Sequence, residues 1–270
     1  MPQRGRARRH PARVRPRLAR RAGLAACLAL AGLALAAPVA AGEHWRIVRA
    51  SFAEPTTRYV HGVLGDDVEY TRLLIEVDNA MAVPKAVMKS GFSTIDLPLT
   101  RVFEDIAPRL WDVTGDGHPE VVVVETDMEL GAQLAIYDAR GTKIAATPHI
   151  GQPHRWLAPI GAADLDGDGQ IEIAYIDRPH LAKTLRIWRF HRGKLEEVAT
   201  ADGLTNHRIG EGFITSGLRD CGQGVEILTV DADWMRVMAS LLREGAIESR
   251  DLGPYDPQLG LDPALSCARP

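Results

Sequence analysis

The stretch of sequence that decides the fold is Asp164-Leu-Asp-Gly-Asp-Gly-Gln-Ile-Glu172, which leads directly into Ile173-Ala-Tyr-Ile-Asp177. An acidic loop with two glycines is followed there by a short apolar run. The same order stands fifty-two residues earlier, where Asp112-Val-Thr-Gly-Asp-Gly-His-Pro-Glu120 precedes Val121-Val-Val-Val-Glu125. A pattern that recurs at a fixed interval indicates a repeat protein, so the interval constrains the fold.

Two further copies are less complete. A shortened loop, Asp220-Cys-Gly-Gln-Gly-Val-Glu226, precedes Ile227-Leu-Thr-Val-Asp231, and Leu64-Gly65-Asp66 stands about one interval before the first copy. We name 112–120 loop one, 164–172 loop two and 220–226 loop three. The repeat units lie near 55–100, 101–152, 153–206 and 207–252, with a C-terminal tail at 253–270.

Each unit has the composition of short β-strands. The apolar runs after the loops are β-branched or aromatic, four to six residues long, and bounded by Gly and Asp. Arg140-Gly141 and Arg192-Gly193 stand between apolar runs, where a hairpin turn is expected. About fifty residues and four short strands per unit are typical of a β-propeller blade. We therefore predict an all-β fold, a small β-propeller of about four to five blades in residues 42–270.

The acidic loops carry the chemistry. Ca²⁺ prefers six to eight oxygen ligands, which a loop supplies from alternate positions if a flexible residue allows a tight turn. The predicted ligands are Asp112, Thr114, Asp116, the carbonyl of His118 and Glu120 in loop one, and Asp164, Asp166, Asp168, the carbonyl of Gln170 and Glu172 in loop two. An EF-hand is excluded, because its twelfth position requires Glu and a helix, whereas Val123 and Tyr175 lie in strand-like runs. The alternative is a pair of Asx-rich turns without an ion.

This arrangement of a D-x-D-x-D-G-x-x-E loop ahead of a β-branched strand resembles the FG-GAP/VCBS repeats of integrin-type β-propellers. The resemblance covers 103–190 most closely and extends to 205–252 and 55–100. It implies about two Ca²⁺ ions, bound in loops one and two, on a propeller that serves as a binding platform. Thr114 replaces a carboxylate, so we expect weaker binding in loop one. Loop three is two residues shorter, so we expect no metal there.

The N-terminal segment has the order of a secretory signal peptide. Nine arginines precede Ala22–Ala41, a stretch of twenty residues without charge that ends in small residues. We predict a signal peptide over 1–41, with cleavage after Ala41 or Ala40, and a periplasmic or secreted protein. The alternatives are a transmembrane anchor and a lipoprotein anchored at Cys27.

Predicted export favours a disulfide between the cysteines that follow residue 41. Residues 42–270 keep two, Cys221 and Cys267, and an even number in an oxidising compartment favours a disulfide. Such a bridge ties the tail to loop three. The alternative is a pair of unrelated thiols.

Charge restricts the partners. Removing the nine N-terminal arginines from 32 basic residues leaves 23 against 35 acidic ones, so residues 42–270 carry about −12. Nucleic acid and anionic membranes bind clustered positive charge, so neither is expected as a partner. With 46% hydrophobic residues the chain is not a disordered tail, and no membrane span is predicted after residue 41.

Two sets of residues are candidates for binding a ligand. Acids follow the apolar runs in three units, and we expect them to form a negative ring at one rim: Glu125, Asp177 and Asp231. Two His-Arg pairs recur about one unit apart and could bind an anion or a sugar: His154 with Arg155 and His207 with Arg208. The favoured function is an exported Ca²⁺-binding module for a protein or a glycan. The alternative is a propeller-type polysaccharide lyase or glycosidase.

Overall fold

The computed structural model describes residues 45–79 and 90–268. These residues form seventeen β-strands, paired antiparallel throughout, and one four-residue helix, α1 (Asp262–Leu265). The predicted all-β class is confirmed. In the described ranges no helix is long and apolar enough to cross a membrane. The predicted signal peptide and Cys27 lie outside the described residues.

The first sheet has eight strands and contains the first two repeat units. Its central order is β1-β2-β4-β6-β7-β8, with β3 paired to β2 and β5 paired to β6. The two units are joined where Tyr70 of β2 pairs with Phe103 of β4. The strands are β1 (Arg46–Thr56), β2 (Glu69–Asp78), β3 (Ser90–Asp96), β4 (Arg101–Phe103), β5 (Arg109–Trp111), β6 (Glu120–Asp127), β7 (Gly131–Tyr137) and β8 (Lys143–Ala146).

The other two units each form their own sheet. The second sheet is a meander in the order β12-β11-β10-β9, and in the third β13 and β14 both pair with β15, followed by β16 and β17. Their strands are β9 (Leu157–Ala163), β10 (Glu172–Asp177), β11 (Thr184–His191), β12 (Lys194–Asp202), β13 (Leu204–Thr205), β14 (Gly217–Asp220), β15 (Val225–Asp231), β16 (Arg236–Arg243) and β17 (Ala246–Pro254).

The central strands β6, β10 and β15 are buried on both faces, which explains their unbroken apolar runs. Successive side chains on a strand point to opposite faces. Val122 of β6 accordingly packs in one cluster with Ile173 of β10, whereas Ala174 packs in the next cluster with Ile227 of β15. The sheets therefore pack face to face in chain order, as the blades of a propeller do.

The repeat places equivalent connections at equivalent ends. Each acidic loop leads into the start of a central strand, namely β6, β10 or β15, and the following hairpin turn lies at that strand's other end. Glu172 and Asp177 bound β10, so about 17 Å separates the two ends at 3.3 Å per residue. The acidic loops and the hairpin turns are thus two distinct regions.

Candidate functional site

Loop two folds through its own backbone. Asp164 accepts hydrogen bonds from the amides of Gly167 at 2.7 Å and Gly169 at 2.9 Å, and both glycines have positive φ, +81° and +85°. Glu172 closes the loop by accepting from the amide of Leu165 at 2.9 Å. The two glycines are required because a side chain at positive φ is strained.

Three carboxylates of loop two converge. One oxygen each from Asp164, Asp166 and Glu172 lies within 4.8 Å of the others. Since Ca²⁺ binds oxygen at about 2.3–2.6 Å, ligands on opposite sides of one ion lie about 5 Å apart. The donor set is entirely oxygen, as Ca²⁺ prefers, so these residues fit a calcium site. The other two predicted ligands, Asp168 and Gln170, contact each other, because Asp168 accepts from the Gln170 amide at 2.9 Å.

A guanidinium group also contacts this cluster. Arg189 of β11 is the cross-strand partner of Glu172, and its Nε lies 2.6 Å from that carboxylate. Its other nitrogens lie 2.7 Å from Asp166 and 3.1 Å from Asp168. Arg189 therefore neutralises part of the charge that a cation would balance.

Loop one is arranged differently. Asp112 accepts from the amides of Gly115 and Gly117, both at 2.8 Å, and the buried Glu120 accepts from the amide of Val113 at 2.9 Å. Burial raises the pKa of Glu120. Asp112, Asp116 and Glu120 do not form a group within chelating distance in the described part of the chain.

The other predicted loop-one ligands contact their neighbours. The Thr114 hydroxyl lies 3.3 Å from Glu120, and the His118 amide donates to Asp116 at 2.8 Å. A cavity of about 280 Å³ is lined by Asp116, Glu120 and Asp138. Asp138, the residue after β7, thus lines the same cavity as Glu120, whereas in loop two Arg189 contacts Glu172.

Loop three has arginines and a disulfide. Its buried Glu226 is bonded by Arg219 at 2.7 Å and by Arg250 at 2.7 Å. Cys221 is bonded to Cys267, so the predicted disulfide is present and joins the loop to the turn after α1. Two guanidinium groups therefore lie against the Glu226 carboxylate.

The acids at the far strand ends are not a ring of free negative charge. Glu125 is fully buried and bonded by Arg101 at 2.8 Å and Lys143 at 2.6 Å, and these cations lower its pKa against the effect of burial. This corrects the interpretation of Glu125 as an exposed rim charge, because its position is a buried ion-pair centre.

The two equivalent acids are also engaged. Asp177 is buried and bonded by Arg178 and Arg186, both at 2.9 Å. Asp231 accepts from the amides of Met235 at 2.7 Å and Arg236 at 2.9 Å and so closes a hairpin turn. The sequence shows the repeated acid but not its cross-strand arginine or turn amides.

The two His-Arg pairs have different positions. His154 and Arg155 line a cavity of about 310 Å³ together with His61, Trp156, Arg178 and His180. His207 is buried against Trp156, with ring centroids 4.8 Å apart. Arg208 lies over the Trp234 ring at 3.9 Å. We name the cavity the histidine pocket.

Of the six pocket residues named above, four are not among the predicted site residues: Arg178, which is the ion-pair partner of Asp177, and three aromatic residues. His61 precedes β2, Trp156 precedes β9, and His180 lies in the β10–β11 turn. Each is isolated in sequence and has no metal-ligand spacing. For His61 the available signal is that histidine also stands near the start of the third and fourth units, as His154 and His207.

Comparison with known proteins agrees with this repeat. Residues 112–175 match the model of the FG-GAP-like repeat, from the first residue of loop one into β10. The chain carries an FG-GAP-like repeat. No curated protein matches it. A solved structure similar to this FG-GAP-like chain is that of the exotype rhamnogalacturonan lyase YesX, at 16% identity and a TM-score of 0.39. The match covers 77% of this chain and 48% of the lyase, so this chain spans about half of that structure's length.

Proposed function

We propose that this protein is an exported Ca²⁺-binding module of the β-propeller type that recognises a protein or a glycan. The observation that carries the proposal is the convergence of Asp164, Asp166 and Glu172 within 4.8 Å in loop two. Like charges at that distance repel each other, and a divalent cation removes the repulsion. Arg189 supplies one positive charge to a loop that carries four carboxylates.

Loop one is the second proposed site. Its ligands are Asp112, Thr114, Asp116, the carbonyl of His118 and Glu120. In this loop Asp112 and Glu120 accept from backbone amides, and each carboxylate oxygen has a further lone pair for an ion. We expect loop one to bind Ca²⁺ more weakly than loop two, since its acids must move to converge.

Binding is favoured over hydrolysis by the ion pairs of two of the acids that recur in the repeat units, Glu125 and Asp177. A glycosidase needs two carboxyl groups about 5–10 Å apart, one of them free to act as a base or nucleophile. Glu125 and Asp177 are each held by two cationic side chains. Both carboxylates are therefore occupied by ion-pair partners rather than free to contact a substrate.

Export is supported by the disulfide between Cys221 and Cys267, since structural disulfides persist in oxidising compartments. The periplasm or the cell exterior is the proposed location. Both also supply Ca²⁺ and glycans.

The test is thermal unfolding with Ca²⁺, with Mg²⁺ and with a chelator. An ion that binds only the folded state stabilises it by about 2.7 kcal/mol at a hundredfold excess over Kd. We expect a higher Tm in Ca²⁺ than in chelator, and loss of most of the difference in the Asp164→Ala/Asp168→Ala variant. Equal melting in all three conditions, with no bound metal by elemental analysis, contradicts the proposal. Capture of periplasmic protein and of polysaccharide, with and without Ca²⁺, then identifies the partner class.

A further inference from the structure

The histidine pocket lies at the opposite end of β10 from loop two. His154, Arg155 and Trp156 enter it just before β9, whereas Arg178 and His180 come from the turn after β10. Its volume of about 310 Å³ is at the lower end of the range of about 300–1,000 Å³ for small-molecule sites. The pocket is therefore separate from the acidic loops and large enough for a small ligand.

His180, a residue of the pocket, has its free ring nitrogen fixed as a hydrogen-bond acceptor by its contact with His207. The Nε2 of His207 lies 2.8 Å from the carbonyl oxygen of Glu211, which can only accept. Burial lowers the pKa of His207, so its Nδ1 carries a lone pair and accepts from the Nε2 of His180 at 2.9 Å. This leaves the Nδ1 of His180 unprotonated. Burial lowers the pKa of His180 to about 4, so the ring is neutral at pH 7.

A second imidazole is oriented by a buried carboxylate. Glu104 is fully buried, accepts from the hydroxyl of Thr126 at 2.6 Å, and contacts the Nδ1 of His61. Because a carboxylate only accepts, His61 donates from Nδ1 and its Nε2 is left for a ligand. The rings of His61 and His154 lie 5.3 Å apart, so the imidazoles form one cluster.

The pocket also holds a guanidinium group without a carboxylate partner. Arg155 donates to the carbonyl oxygen of His154 at 2.7 Å, and within the described residues it makes no ion pair. Arg178 is paired with Asp177 through two hydrogen bonds of 2.9 Å. No Asp or Glu is among the described residues that line the cavity. The pocket thus offers positive charge on a body that is acidic as a whole.

We propose that the histidine pocket binds a hydroxylated carboxylate, such as a uronic acid unit of a glycan. Arg155 provides the charged donor for the carboxylate. His180 provides a neutral nitrogen that accepts from a hydroxyl group, and the Nε2 of His61 is available to a second hydroxyl group. Leu181 and Ile209 at the rim, 63% and 71% exposed, offer apolar contact to the carbon face of a sugar ring. This ligand class makes the proposed binding function more specific. The biological role of the pocket rests on that proposed function, whereas the binding of a ligand does not.

The test is calorimetric titration of the purified protein with three probes: glucuronate, glucose and acetate. We expect heat of binding with glucuronate, and weaker binding of at least about tenfold with each of the other two, which lack the charge or the hydroxyls. Equal binding of acetate overturns the role of the histidines, and equal binding of glucose overturns the role of Arg155. No binding of any probe overturns the site.

Two variants locate the binding. Arg155→Gln removes the charge, and His180→Phe keeps an aromatic ring while removing the acceptor nitrogen. Each is expected to weaken glucuronate binding at least about tenfold, whereas the control Arg140→Gln, an exposed arginine near loop one, leaves it unchanged. Unaltered binding in both pocket variants, with unfolding curves like the parent protein, overturns the proposal.

The outcome is separable from the calcium proposal, because about 17 Å of strand separates the regions. Glucuronate binding that persists in a chelator, together with an unchanged Tm on Ca²⁺ removal, sustains the pocket and contradicts the calcium module. Ca²⁺-dependent stability without glucuronate binding sustains the calcium module and contradicts the pocket.

Discussion

Loop two and loop three occupy equivalent places before β10 and β15, yet they balance a buried glutamate in different ways. Glu172 shares its loop with three aspartates, and one arginine, Arg189, contacts it from β11. Glu226 has two arginines, and its loop is joined by a disulfide to the chain after α1. In both loops the buried glutamate is thus paired with guanidinium groups, one in loop two and two in loop three.

Loop one completes the comparison. In the described chain Glu120 has no arginine or lysine partner and instead accepts from backbone amides of its own loop, including that of Val113 at 2.9 Å. Across loops one, two and three the number of arginines on the buried glutamate is thus none, one and two. We infer that loop three, with two arginines on its glutamate, depends less on Ca²⁺ than loop two does.

The largest expected effect is loss of the disulfide at loop three. In the chain-entropy model a bridge between residues 46 apart stabilises the folded state by about 4 kcal/mol. We expect the Cys221→Ser/Cys267→Ser variant to lose up to that amount in free energy of unfolding, equally with and without Ca²⁺. Denaturant unfolding in both conditions measures it. A loss that appears only in chelator means that loop three also depends on metal.

The next effect concerns the buried arginine of loop three. The side chain of Arg219 is 1% exposed and that of Arg250 is 45% exposed, although both bond Glu226. Removing one partner of a buried ion pair costs about 3–5 kcal/mol, and exposed pairs contribute about 0–1 kcal/mol. We expect Arg219→Met to lower the free energy of unfolding by about 3 kcal/mol and the control Arg250→Met by less than about 1 kcal/mol.

A second substitution tests whether the loss in Arg219→Met comes from the unpaired charge of Glu226. Glu226→Gln added to Arg219→Met removes the uncompensated charge and is expected to recover part of the loss. Equal effects of Arg219→Met and Arg250→Met contradict the expectation that the buried partner of Glu226 contributes more to stability than the exposed one.

The smallest effect is at Arg189. Arg189→Gln removes the positive charge that contacts the loop-two carboxylates, so a cation there meets less repulsion and fewer occupied oxygens. We expect Ca²⁺ affinity to rise at least about tenfold, which is about 1.4 kcal/mol. The matched control is Arg186→Gln on the same strand, which contacts Asp177 and Glu197 instead. An affinity that is unchanged or lower in Arg189→Gln means that this arginine supports the loop rather than competing with the ion.

Much of the architecture follows from local sequence. The apolar runs of β6 and β10, bounded by acidic loops and glycines, predict buried strands and their repeat, because strand burial and tight turns depend on neighbouring residues. The disulfide also follows from the even number of cysteines in residues 42–270 together with the predicted export. The sharing of one sheet by the first two units does not follow, since it depends on the pairing of Tyr70 with Phe103, residues 33 apart with no distinguishing pattern.

The site is less predictable than the fold for the same reason. The ligand spacing of loop two identifies its carboxylates, but Arg189 reaches them from another strand, and its position opposite Glu172 requires the register. Glu125 recurs as the sequence shows, yet Arg101 and Lys143 neutralise it from two other strands. His61 and His180 line the same pocket only because the tertiary structure brings them together. Long-range charge pairing is the information that one sequence lacks.

Calorimetric titration of Ca²⁺ tests the central claim most directly, comparing the parent protein with Asp164→Asn/Asp166→Asn in loop two and Asp220→Asn in loop three. The account predicts that the loop-two variant loses the tighter binding event, while the loop-three variant keeps the full stoichiometry and affinity of the parent. Calcium binding that survives the loop-two substitutions, or that is lost with Asp220→Asn, contradicts it.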